Sequence, residues 1–499
     1  MKHVRKLLLS GACALGAMTG TAMAQDCEIA FGSVLSLTGA NAAIGKAIGD
    51  AGQLAVDQFN EAGGAAGCKV RFVLRDDLGQ PNVGVDAAKS LVEIEKSPVI
   101  LGAISSGVTL PILTSVAVPS KVTQISCCSS APSLTALAAE GGTDGLWFRT
   151  VPTSRPQGIV MATLAHGSGL KSMAIVYVNS DYGVGLARDF KEAFEALGGT
   201  ISQMVAYNEQ QPSYRVEVNS ALQGEPEALF LVAFPADGAT VAREWLSFGG
   251  SSKLYLSNAM RADEFVQAVG ADLLVDAVGI DNAQISGDSV TALNAAWEER
   301  FGSAPNGPGL HSMYDATAVA LLAMEKAGEP SGRAIADSIR TVTGGEGEVV
   351  FPGIKGFTRA KALIAAGAPF TYVGATGPIT FDANGDVNGP YLIWGARTAC
   401  LPPSTPGISR VSMRPPPPSR SKRNGREDRS MTGNRQHLRD MNAQFSLDGV
   451  SDLPLLMKRR AVAAQAALAR WPCRRALRYG PGPGETLNLF PPAQPQGGA

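Results

Sequence analysis

Between residue 27 and about residue 394, short apolar runs alternate with longer stretches whose apolar positions recur at helical spacing. A first series predicts strands at 29–35, 70–74, 98–104 and 122–126, with helices at 44–61, 83–96 and 109–118 between them. A second series begins near Pro152. It predicts strands at 173–178, 200–207, 228–233, 254–256 and 278–281, with helices at 157–166, 184–197, 214–222 and 238–248. Helices at 289–301, 312–327 and 332–342 follow. Strands separated by helices form βαβ units and parallel sheets. Right-handed crossovers then place helices on both faces. The expected fold class is α/β, in two similar lobes. In open parallel sheets a ligand lies beyond the carboxyl ends of the strands, near helix N-termini, so candidate chemistry is sought there.

The two ends of the chain break this pattern. Lys2, Arg5 and Lys6 precede an apolar stretch from Leu7 to Gly20, and Ala22-Met23-Ala24 forms an A-x-A site. Residues 1–24 therefore read as an export signal cleaved after Ala24. The apolar stretch is shorter than the roughly 18 residues a spanning helix needs. Residues 401–499 are rich in Pro and Arg, with Pro402-Pro403, a proline run at 415–418 and a basic run at 414–429. Their composition buries too little apolar area to offset chain entropy, so a disordered tail is expected. The 43 Lys+Arg and 44 Asp+Glu of the chain are unevenly spread. The tail holds 16 basic and 6 acidic residues, leaving 27 and 38 before it. An acidic body is a poor partner for nucleic acid or an anionic membrane.

Export permits disulfides. Cys27 and Cys68 each open an apolar run. If those runs are neighbouring parallel strands, both thiols lie at one sheet edge and a bridge is expected, although spacing alone does not prove it. The adjacent Cys127 and Cys128 read as small buried residues. With no CxxC, and with only His166 and His311 in residues 25–400, neither a metal site nor any other cofactor is expected. The glycine pairs Gly63-Gly64 and Gly141-Gly142 lack a G-x-G-x-x-G context. Asp382, Asn384 and Asp386 are spaced like a calcium loop, but its required Gly and Glu are replaced by Val387 and Ile393. A tight turn is the better reading.

Four segments follow predicted strands. Ser105 and Ser106 lie in Gly102–Gly107 at a helix start, where hydroxyls and free N–H groups suit a carboxylate. Taken alone, that segment reads as ordinary N-capping. A second hydroxyl-rich strand end, with Cys128, Ser129 and Ser130, would converge on the same anion. Tyr182 and Asn258 occupy the equivalent places in the second series. Ser105 also sits in a degraded G-x-S-x-G pattern, which makes a serine hydrolase a minor alternative.

Taken together, Gly102–Gly107, Ser126–Pro132, Ser180–Gly185, Tyr314-Asp315-Ala316 and Gly377–Asp386 resemble the branched-chain amino-acid-type (Leu/Ile/Val-binding-like) substrate-binding proteins of ABC transporters. Leu37-Thr38-Gly39, Ile44-Gly45 and Asp76-Asp77 also match, and the resemblance runs in order over about residues 27–396. It implies a type I periplasmic binding fold, two lobes joined by three hinge crossovers. Lobe 1 is expected at 25–151 with about 284–345, and lobe 2 at 152–283 with about 346–400. A periplasmic monomer is implied, which closes on a small carboxylate-bearing ligand and delivers it to an inner-membrane ABC permease without chemistry. A ligand-sensing receptor module of the same fold is the alternative. By position, Ser106 and Ser130 resemble the hydroxyl donors to the ligand carboxylate, with backbone groups of Cys128 and Ser130. Tyr182 resembles the aromatic cover, and Ile44 stands where an aromatic is frequent. After the strand at 254–256, where amino-acid binders place an acid for the ligand ammonium, this chain has Ser257, Asn258, Ala259 and Met260. Asp281 or Asp237 are the substitutes to test. An aromatic or other organic acid stays open beside a branched-chain or other amino acid.

Overall fold

The computed structural model describes residues 27–284 and 287–395, together with two three-residue strands near the C-terminus. The expected export signal lies outside the described residues, as does the expected tail apart from those two strands.

The chain begins with β1 (Glu28–Leu35), α1 (Ala42–Glu61), β2 (Lys69–Asp76), α2 (Pro81–Glu93), β3 (Val99–Gly102), α3 (Ser106–Ile112), β4 (Thr123–Ser126), α4 (Pro132–Ala139) and β5 (Trp147–Arg149). Next come α5 (Ser154–Gly167), β6 (Ser172–Val178), α6 (Asp181–Ala196), β7 (Thr200–Tyr207), α7 (Arg215–Ala221), β8 (Ala228–Val232), α8 (Pro235–Ser247), β9 (Leu254–Leu256), α9 (Asp263–Val269) and β10 (Val278–Asn282). The remainder is α10 (Asp288–Phe301), α11 (Leu310–Ala327), α12 (Gly332–Thr343), β11 (Glu348–Val350), α13 (Ile354–Ala365), β12 (Phe370–Gly374), β13 (Gly377–Pro378) and β14 (Tyr391–Gly395). Two short strands, β15 (Ala476–Arg478) and β16 (Thr486–Asn488), pair with each other.

The first sheet has the order β2-β1-β3-β4-β5 and is parallel throughout. The second has the order β14-β10-β9-β8-β6-β7 and is parallel except for the antiparallel β10–β14 edge. Strands covered on both faces need near-continuous apolar sequence. β8 (ALFLV) and the last seven residues of β1 are buried throughout. In the second core, Phe190 stacks on Phe230 with centroids 4.1 Å apart. Cys27 and Cys68 open the paired β1 and β2 and are joined by a disulfide, Cα atoms 5.0 Å apart. A closed loop of this length contributes about 4 kcal/mol in the chain-entropy account.

Among the described residues the chain passes between the sheets three times, after β5, after β10 and before β14. One expectation needs correction. Residues 346 to about 378 were assigned to the second lobe, but they pack on the first. Phe357 of α13 lies 5.0 Å from Phe59 of α1, and Lys361 donates to Gly64 O at 2.6 Å. Asp315 of α11 accepts from the Tyr372 hydroxyl, the N–H groups of Ala375 and Thr376, and the Thr376 hydroxyl at 2.7–2.9 Å. Burial still pushes that carboxyl up to about 6. The reason is α11 itself: a helix buried on every face needs a second cover beyond α1 and α12, and α13 and β12 supply it. Only β14 returns to the second sheet.

Candidate ligand-binding site

In the first sheet, β3 and β4 end side by side, and each leads through a hydroxyl-rich turn into a helix. The Ser126 hydroxyl donates to Ala103 O at 2.9 Å and accepts from the N–H groups of Cys128 and Ser129 at 3.2 and 2.9 Å. Ser129 shares a 2.6 Å hydrogen bond with Thr109 of α3. Ser106 accepts from Ala131 N at 3.2 Å. The two turns are therefore tied to each other. The hydroxyl of Ser130 is buried and has no partner among the described residues. Leaving a buried polar group unpaired costs about 1–3 kcal/mol.

Behind this wall lies Arg149, at the end of β5 and wholly buried. It donates to Asp386 at 2.7 Å and to the carbonyls of Ser129 and Ala131 at 3.1 and 3.0 Å. Asp386 reaches it from the Asp382–Asp386 turn, in which Asp382 accepts from Asn384 N and Asp386 N. This clamp holds the carbonyls on either side of Ser130. Sequence reading missed it, because partners 237 positions apart leave no local pattern.

The opposing wall comes from the second sheet. Tyr182, in the first turn of α6, donates its hydroxyl to Asn258 Oδ1 at 2.8 Å and stacks on Phe234, centroids 5.7 Å apart. Burial raises the phenol pKa well above its usual value, so it remains a donor. Asn258 opens a single 3-10 turn after β9. The walls meet. A side chain at Gly107 would come within 3.3 Å of Ser180 Cβ, Ser133 approaches Asp181 at 3.4 Å, and Gln210 donates to Leu78 O at 3.0 Å. At that last contact Glu209 is half-buried beside Asp237 of its own lobe and Asp77 of the other; desolvation first and then these charges push it up to about 8.

Between the walls lies a narrow cleft, partly open to solvent. Ile44, Ile104, Cys127, Cys128 and Val151 line it from one side, and Tyr182, Phe234, Asn258 and Ala259 from the other. A second space of about 600 Å³ adjoins it along the three crossovers, sharing Asn282, Pro308 and Gly309. His311 lies there with one ring nitrogen on Gln284 and the other on Asn294, and burial lowers its pKa to about 3.

Residues 28–383 match the periplasmic binding protein family. The chain belongs to that family. Among curated members, a chemotactic signal transduction system substrate-binding protein of Halobacterium salinarum is 28% identical over 73% of this chain and 86% of its own. A Leu/Ile/Val-binding protein of Rhizobium johnstonii is 28% identical over 64% and 88%. Among solved structures, a leucine-binding protein from Thermotoga maritima superposes with a TM-score of 0.61, at 22% identity over 73% and 94% of the two chains. Family and fold are those of solute-binding proteins with type I architecture.

In this family setting the expected site residues separate into three groups. Ile44, Cys128, Tyr182 and Asn258 line the cavity together. Ser105, Ser106 and Ser130 are buried where the walls close and are not part of its lining. Ser105 is the N-cap residue of α3, and His311 has other partners, so the pairing a hydrolase needs is not formed between them. Asp281 lines the adjoining space rather than this cavity, and its carboxylate is bound by Arg261 at 3.0 Å. Asp237 accepts from Gln210 N at the rim and lies outside the lining. Cys128 N is taken by Ser126 and is not free for a ligand. The adjacent cysteines, read as separate small residues, are joined by a disulfide. Among the described residues, no group of three or more His, Cys, Asp and Glu is placed to hold a metal ion, and no helix is long and apolar enough to cross a membrane.

Proposed function

We propose that this protein, exported and cleaved after Ala24, captures a small carboxylate-bearing ligand between its lobes and hands it to an ABC permease. The observation that carries this reading is the cavity at the carboxyl ends of both sheets, with walls from each. Such a space forms only when the lobes meet, so a ligand that fills it shifts the open–closed equilibrium towards closure. Ser130, with Ser106 beside it, is the proposed grip for the acid group from its place in the family pattern; it lies outside the present lining and must be uncovered for a ligand to reach it. No carboxylate is among the described residues lining the cavity, and Asp281 is already paired. A buried ammonium without a counter-charge is costly. An acid with an apolar body and no ammonium is therefore favoured over an amino acid.

A thermal-shift series with benzoate, 3-methylbutanoate, leucine and succinate tests this. A ligand at 100 times its Kd stabilises the folded form by about 2.7 kcal/mol. Benzoate or 3-methylbutanoate is expected to raise the melting temperature. A shift with leucine alone would overturn the ammonium argument, and no shift with any of the four would overturn the capture reading. A sensory role is the second reading, favoured by the name of the Halobacterium relative. A deletion strain that loses taxis to the ligand but keeps its uptake would decide for it.

A further inference from the structure

We infer that Cys127 and Cys128 act as one unit, a bonded sulfur plate forming part of the first-lobe face of the cavity and selecting ligands with a flat body. The inference rests on the capture reading above and names what the site prefers. The two residues are joined by a disulfide and both line the cavity. Their place in the chain is fixed on both sides. Ser126 holds the N–H groups of Cys128 and Ser129, and Arg149 holds the carbonyls of Ser129 and Ala131. Room for the sulfur is kept by Gly309, whose φ of +79° favours glycine; a Cβ there would stand 2.6 Å from Cys128 Sγ.

Neighbouring cysteines that bond to each other close a small ring, so neither sulfur can rotate about its Cα–Cβ bond. Two free thiols would place rotating S–H donors in an apolar space. The bonded pair presents bare, polarisable sulfur instead, which makes favourable contacts with aromatic rings. From the other sheet, Tyr182 and Phe234 stack at an interplanar angle of 19° and line the same cavity. Rigid sulfur on one side and stacked rings on the other make a slot suited to an aromatic or otherwise planar carboxylate. Forming the bond takes two electrons and two protons from the thiols to a protein disulfide of the export compartment, which becomes a dithiol. The Cys27–Cys68 bridge requires the same oxidant.

Two measurements on the exported protein test the inference. Peptide mass spectrometry without reductant should find the peptide bearing Cys127 and Cys128 two hydrogens lighter than its dithiol form; alkylation of both thiols would overturn the inference whatever the ligand. Calorimetry should then compare benzoate with cyclohexanecarboxylate, which has the same carbon count but is puckered. Wild type is expected to prefer benzoate by about tenfold, and Cys127→Ala/Cys128→Ala to bring the two within about threefold. Equal affinities in wild type, or a preference kept by the variant, would overturn the plate. Binding of neither acid would overturn the capture reading, and this inference with it. Cys128→Ala alone, which opens the ring and leaves Cys127 in the core, serves if the double variant does not fold, and it should lose the same preference.

Discussion

The two walls of the cleft are built on different plans. The first-lobe wall is mostly backbone: its hydroxyls cap turns, and Arg149 grips two carbonyls from behind. The second-lobe wall is mostly side chain: Tyr182 rests on Phe234 and Asn258, and Arg261 pairs with Asp281. A backbone wall has few ways to change without losing the fold. A side-chain wall can be altered residue by residue. Under the proposed capture reading, the hydroxyl-rich turns of the first lobe meet the acid group, while the variable body of the ligand meets the Cys127–Cys128 pair and the second-lobe side chains.

The largest test of this contrast is Arg149→Met. It leaves Asp386 buried without its partner and should cost about 3–5 kcal/mol of stability in urea unfolding. A loss below 1 kcal/mol would show that the first wall does not depend on its clamp. Ser130→Ala should leave stability nearly unchanged and weaken ligand binding by about 1–3 kcal/mol in calorimetry. Unchanged affinity would remove Ser130 from the grip.

Next in size is a pH effect at the rim. Glu209 faces Asp77 across the seam and Asp237, Tyr207 and Tyr214 within its own lobe. Its carboxyl stands at about 8 in the closed form against an ordinary value of 4.5. Opening separates it from Asp77 and returns it to water, so closure takes up a proton. Affinity is then greatest at low pH and falls as pH rises from about 4.5 through 8, by at most about fiftyfold between pH 6 and 8. Glu209→Gln should flatten that profile; a wild-type profile already flat over this range would sink the idea. The smallest effect is expected of Tyr182→Phe. It leaves Asn258 Oδ1 without its donor and should lower affinity by about 0.5–1.5 kcal/mol.

Local chemistry was readable from the chain and tertiary pairing was not. β7 and β9 occupy the residues their apolar runs predicted, and Ser105 and Ser106 lie at the start of α3, as a hydroxyl pair after a strand suggests. The strand β5 was missed because its short run ends on an arginine, whose burial depends on Asp386, 237 positions away. Residues 346–378 were misplaced because nothing local announces which lobe a short strand and an amphipathic helix will cover; a fully buried α11 decides it. Cys128 was visible as a site residue, but its bond to Cys127 was not, since adjacent cysteines more often stay apart. The pairing of Asp281 with Arg261 was not legible, because a residue 20 positions away gives no sign in sequence of turning towards it.

The returning strand β14 has a consequence for biogenesis. It closes the sheet beside β10, with Val278 opposite Gly395 and Asn282 opposite Tyr391. A polypeptide threaded through a membrane from its N-terminus delivers β10 well before β14 emerges. During that interval a ready row of N–H and C=O groups stands uncovered, a template on which another nascent copy can join.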